Sequence, residues 1–228
     1  MGNKEKKRRW WKELDGKQKA RYFLDYGLEK LLLCAAAAGA AVFLLVSFLT
    51  PEKPAALYVA VVDESLDETE CERMKAELEA LYGEDRKVVI DDSFYMRDGA
   101  LGKLEVYLYN KQIDAVIAEP EVYEQLAGYG YFYDLELLLS QEQKQRYGSL
   151  LVKAPGWREE EEISFEDTES GKGEEAPYGA DISGSGRFGS MKHYMRSPVF
   201  SVAANAPQPE HAVLFLEYLL QNGEERAQ

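Results

Sequence analysis

One uninterrupted apolar run stands near the start of the chain, and shorter hydrophobic segments of two different periods follow it. From Leu31 to Leu49 the sequence reads LLLCAAAAGAAVFLLVSFL, nineteen residues without a charge. A helix of that length spans about 28 Å, close to the hydrocarbon thickness of a bilayer. A core helix of the same length would carry a polar face. The pattern predicts a transmembrane helix over residues 30–49. Cleavage as a leader does not fit, because Phe48 and Leu49 put bulky residues where a small-x-small site is needed. Cys34 follows Leu33 and lies at the start of the run, so a lipid-modified cysteine does not fit either. The run reads as a signal-anchor.

Beyond a linker over residues 50–56, marked by Pro51 and Pro54, short apolar runs alternate with segments of helical period. Leu57 to Asp63 is continuous and apolar before its closing acid, as a strand buried on both faces reads. Met74, Leu78 and Leu81, with Leu66 just before, fall at helical spacing over residues 67–82, and Gly83 supplies a stop. A second strand over Lys87–Asp91, a helix over Gly99–Asn110 with Leu101, Leu104 and Leu108, and a third strand over Ile113–Glu119 follow. Pro120 opens a short helix at its favoured first position. A strand from Pro198 to Asn205 and a helix from Glu210 to Gln221, with Val213, Leu214, Leu216, Leu219 and Leu220 inward, close the chain. This alternation predicts an α/β fold: an N-terminal transmembrane helix, then one mostly parallel, three-layer α/β domain over residues 57–228.

Charge sharpens the division. Residues 1–30 hold ten Lys and Arg against five Asp and Glu, a net of +5, while residues 51–228 hold 17 against 36, a net of −19. Basic residues beside an apolar span stay inside, so residues 1–29 are expected to be cytoplasmic and the acidic domain extracytoplasmic. Trp10, Trp11, Tyr22, Phe23 and Tyr26 suit the headgroup zone, as an interfacial anchor or as a docking site for an inner partner. A domain this acidic excludes nucleic acid as a partner. Glu159–Glu162, Glu166, Asp167 and Glu169 mark residues 157–176 as an acidic loop. The two cysteines, Cys34 and Cys71, have no reason to meet, so the domain folds on its core alone.

Three groups of residues resemble extracellular solute-binding proteins. Ile113-Asp114-Ala115-Val116-Ile117-Ala118 followed by Gly130-Tyr131-Phe132-Tyr133-Asp134-Leu135 is similar to a strand, helix and G-x-x-x-D-L passage of that family. Val199 to Asn205 with Ala212 to Leu219 is similar to its late strand and helix. Lys17 to Tyr26 looks like the amino end of membrane-anchored proteins of Firmicutes. The resemblance implies a lobe of the periplasmic-binding-protein kind. Only about sixty residues separate Leu135 from Pro198, where a second lobe would be inserted, so a reduced, single-lobe version is expected.

In a parallel sheet a ligand sits outside the carboxyl ends of the strands. The candidate ligand-binding residues are therefore Asp63, Asp92, Ser93 and Glu119, together with the adjoining Glu64 and Asp91. Acids there suit a cationic or polyhydroxyl ligand; equally, they solvate strand ends and cap helices. Gly184 to Gly189 matches G-x-G-x-x-G but lacks the buried strand and full helix that phosphate binding needs. Asp167 to Gly171 hints at a calcium loop, yet Lys172 stands where glycine is required. His193 and His211 have no metal-ligand spacing. No catalytic motif, cofactor or metal is indicated. Two functions remain: a membrane-tethered module recognising a small molecule for a transporter or sensor, or an envelope scaffold that binds a protein.

Overall fold

The computed structural model describes residues 15–19, 21, 28–49, 55–83, 86–96, 102–157 and 170–221. The basic and aromatic segment before residue 15, Tyr22, Phe23 and Tyr26, most of the linker, Leu101 and residues 158–169 of the acidic loop lie outside the described residues. The chain divides into two compact units, Met1–Glu52 and Lys53–Gln228.

In the first unit, helix α1 (Leu28–Leu49) runs unbroken for 22 residues. Leu32, Leu33, Val42, Phe43, Leu44 and Leu45 on it are each more than half exposed. Among the described residues, no helix is long and apolar enough to cross a membrane; the side chains of residues 28–31 and 46–49 lie outside them.

The second unit is a mixed α/β domain. Its strands are β1 (Ala55–Val62), β2 (Lys87–Phe94), β3 (Ala115–Ala118), β4 (Leu151–Pro155), β5 (Glu175–Asp181) and β6 (Val199–Val202), ordered 2-1-3-6-5-4 in one sheet. β1 pairs parallel with β2 and β3. From β3 outward each neighbour is antiparallel, β3 to β6, β6 to β5 and β5 to β4. The parallel half is the half whose alternating strands and helices predict it; the antiparallel half has no such signature. β1 starts at Ala55 and so takes the last two residues expected of the linker. β5 starts at Glu175, so the acidic loop ends sooner than residue 176.

Helices cover both faces. On one lie α2 (Glu68–Tyr82), α5 (Leu135–Leu138), α7 (Gly186–Gly189) and α8 (Pro209–Leu220); on the other lie α3 (Gly102–Tyr109) and α4 (Pro120–Gly128). A further short helix, α6 (Gln141–Tyr147), precedes β4. Alternate residues of β1 explain the layering, since Leu57, Val59 and Val61 join one core and Ala60 and Val62 the other. A continuous apolar strand is what burial on both faces requires.

Local chemistry sets the ends of α2. Asp67 caps it by accepting from the Glu70 amide at 3.1 Å, and Gly83 closes it at φ 113, a conformation that costs other residues far more. Cys71, Met74 and Leu78 face the core, while Leu81 turns out to solvent, against the expectation from spacing. In α8 the buried residues are Ala212, Val213, Phe215, Leu216, Tyr218 and Leu219; Leu214 and Leu220 are only half-buried. β2 extends past Asp91 because its register with β1 slips between Asp91 and Phe94. The extra residue turns Phe94 into the core under α3.

Candidate functional site

Between β1 and β3 the connections diverge: β1 leads into α2 on one face and β3 into α4 on the other. Such a reversal opens a crevice at the carboxyl ends of the two strands, where a ligand would sit. Asp63 and Glu64 follow β1, and Glu119 follows β3.

The crevice is occupied by the chain itself. The segment after β5, Gly184 to Pro198, crosses it, and the acids grip its backbone. Glu64 is buried and accepts the Tyr194 amide at 2.7 Å through Oε2 and the Ser65 amide at 2.9 Å through Oε1. Glu119 accepts the Arg196 amide at 2.6 Å and the Ser197 amide at 3.4 Å. The Asp67 amide donates to the Met191 carbonyl at 2.9 Å, and Lys192 pairs with the Asp67 carboxylate. That contact holds the Asp67 carboxyl below its ordinary range. Phe188, Met191 and Met195 anchor the segment in the core, and the ring of His193 stacks on Phe188 at 4.3 Å.

The other expected residues also hold loops. Asp63 lies in the left-handed region at φ 55, which aspartate tolerates better than most residues, and accepts the Met96 amide at 2.8 Å. Asp92 accepts the Leu66 amide at 2.8 Å. Ser93 faces the opposite side of the sheet, where its hydroxyl bonds to Asp91 and lies 2.6 Å from Lys103 Nζ. Among the described residues, no hydrogen bond joins any two of Asp63, Asp92, Ser93 and Glu119. The structure gathers Asp63, Glu64 and Glu119 at the strand ends but leaves them filled by amides. Glu119 stands at the cap position of α4 without capping it, and Pro120 at the first helical position has no amide to offer.

Asp91 carries the most perturbed carboxyl of this edge. Burial pushes its pKa up, but hydrogen bonds from Ser93, Tyr58 and Lys103 outweigh that and hold it at about 2. The Lys103 ammonium also lies 4.2 Å from the centre of the Phe94 ring. At the opposite end of the sheet, buried Asp114 accepts the Tyr58 amide at 2.8 Å and the Gln208 amide at 3.0 Å. Its pKa is raised by burial, against the pull of those two amides. Asp114 therefore ties β1 to the start of α8, a structural reason for an acid before that strand.

The match to G-x-G-x-x-G resolves into a cap. Ser185 accepts the Phe188 amide at 3.0 Å and starts α7, which is four residues long and has no phosphate-binding helix behind it. Among the described residues, no group of three or more His, Cys, Asp or Glu is placed to hold a metal ion. Cys71 is buried and unpaired, and burial pushes its thiol up to about 11.

Two surface features went unread in the sequence. The first is a cavity of about 530 Å³ lined by Arg146, Tyr147, Asp181, Ser183 and Leu220, among others. The second is an aromatic surface around the turn after α4. The rings of Tyr129 and Tyr131 meet edge to face at 6.2 Å, and the Tyr131 hydroxyl reaches Glu105 on α3. One turn along α3, Tyr109 is 81 % exposed, and Trp157, packed over Gly130, is 48 % exposed.

No family model, curated protein or solved structure matches the chain.

Proposed function

We propose that the chain is a membrane-tethered, single-lobe binding module whose outer domain docks a protein partner of the cell envelope. The carrying observation is the closed crevice: Glu64 and Glu119 bind the segment from Gly184 to Pro198 where a solute would otherwise sit. Burial of Met191 and Met195 speaks against easy displacement of that segment. All six strands among the described residues share one sheet in one compact unit, which supports a lobe without a second lobe to close on it. The aromatic surface of Tyr109, Tyr129 and Trp157 supplies the large, exposed rings that are enriched at protein interfaces.

The tether rests on α1, whose described leucines are exposed in a helix of 22 residues, about 33 Å long. The basic residues before it and the acidic domain after it support an inward amino end. A second reading, recognition of a small molecule, is favoured by the cavity at Arg146 and Asp181.

The test is photo-crosslinking in intact membranes, with the reactive group at Tyr109, at Trp157 or, as a control on the other face, at Glu72. One shared adduct from Tyr109 and Trp157, absent from Glu72, and retention of the chain after an alkaline wash are expected. Identical adducts from all three positions, or release by the wash, would sink the proposal.

A further inference from the structure

The cavity beside the carboxyl end of β5 has opposite charges on its wall and an apolar floor. Arg146 supplies the positive side. Its only ion pair among the described residues is with Glu142, one turn earlier, at 3.2 Å, and both side chains are more than half exposed. Exposed pairs of this kind contribute little and exchange readily. The guanidinium carbon also lies 5.9 Å from the centre of the Tyr147 ring, which steadies the group beside the cavity.

Asp181 supplies the negative side. One of its oxygens accepts the Ser183 amide at 2.8 Å, and among the described residues no cation pairs with the carboxylate. The carboxyl end of α8 adds to it, because Leu220 and Gln221 line the cavity and the last carbonyls of a helix carry partial negative charge. Ser185 donates to only one of them, Leu219, at 2.6 Å. Tyr147, Leu150 and Leu220 add apolar surface to the lining, and the volume of about 530 Å³ lies within the range of small-molecule sites.

A free cation would be repelled by Arg146 and a free anion by Asp181 and the helix end. A molecule carrying both charges satisfies both walls at once. We infer that this cavity binds a small zwitterion, an α-amino acid with an apolar side chain, with its carboxylate on Arg146, its ammonium at Asp181 and the end of α8, and its side chain on Tyr147 and Leu220. None of the residues lining it belongs to the aromatic surface, so it does not depend on partner docking.

The experiment is equilibrium dialysis of the full chain in detergent micelles against labelled L-leucine, L-valine, L-methionine and L-phenylalanine. Saturable binding of at least one is expected. Its amide, which lacks the carboxylate, and its 2-hydroxy acid, which lacks the ammonium, should each bind about tenfold more weakly or worse. Arg146→Gln should weaken the amino acid and the hydroxy acid but leave the amide unchanged; Asp181→Asn, which keeps the oxygen that holds Ser183, should do the converse. Absence of saturable binding up to about 10 mM for all four overturns the inference. So does an analogue that binds as tightly as its amino acid, or affinity that both variants leave intact.

Discussion

Replacing Glu64 with glutamine separates a structural acid from a ligand-binding one. Glu64 is 6 % exposed and gives one carboxylate oxygen to the Ser65 amide and the other to the Tyr194 amide. Glutamine keeps its length but offers a single oxygen, so one of the two amides loses its acceptor and meets an NH₂ group. Loss of a hydrogen bond to a charged acceptor costs about 1.5–3 kcal/mol. The unpartnered amide keeps the cost from falling to the low end, and about 2 kcal/mol is expected. For a domain of this size that lowers the midpoint of thermal unfolding by about 4–8 °C. Calorimetry of the full chain reads the midpoint, and amide exchange reads the location. Protection should fall at Tyr194 and its neighbours in the crossing segment and stay unchanged in β1 and β3. A binding-site acid behaves in the opposite way, because relieving an unpaired carboxylate leaves the midpoint unchanged or raises it. An unchanged or higher midpoint with full protection at Tyr194 would refute the view that the acids of the strand ends hold the chain itself.

Further expectations concern single contacts. Asp91 has its folded pKa depressed to about 2 from an ordinary 3.8, so its contribution is fully present above about pH 4 and is lost as pH falls toward 2. Asp91→Asn should therefore cost about 1–2 kcal/mol near neutrality, after allowance for the solvent that reaches the group, and the gap in midpoint from the wild type should close between pH 4 and 2. A methyl group on Gly179 would come 2.5 Å from Val199 and 2.7 Å from the Tyr123 ring, so Gly179→Ala should destabilise by about 1–3 kcal/mol in urea unfolding. Asp114→Ala removes the acceptor of two part-buried amides, Tyr58 and Gln208, and should cost about 2 kcal/mol; exchange should rise first at the start of α8.

Elements with a long apolar run or a clear apolar period were legible in the sequence, and short or polar elements were not. β1, β3 and α8 are visible because their apolar residues recur at the period of the structure they form. β4 is an edge strand with only Ala154 buried and Pro155 at its end, so it carries neither alternation nor length. α6 is polar except for Tyr147, and its one readable sign is the capping box of Ser140 and Gln143, a spacing easily overlooked without an apolar run behind it. Because α6 was not foreseen, Arg146 could not be placed, nor could the cavity it shares with Asp181. The antiparallel direction of β6 is invisible for another reason. Four buried residues look the same whichever way the strand runs, and direction is set by pairing with β3 and β5.

The acids of the strand ends show how position and role come apart. Their placement follows from the alternation of strand and helix, which sequence reveals. Their partners are amides far along the chain, Tyr194 lying 130 residues from Glu64 and Arg196 lying 77 from Glu119, and backbone amides leave no mark on residue identity. A crevice between diverging strands cannot stay both empty and apolar, since the carboxylates beside it need donors. A ligand, a second lobe, ordered water or the chain itself must supply them. With only about sixty residues between Leu135 and Pro198, this chain has length for a crossing segment but not for another core. On the proposed reading, loss of a second lobe and closure of the crevice are thus two sides of one economy of length. Recognition is then left to the periphery, at the aromatic turn after α4 and the charged cavity beside α6.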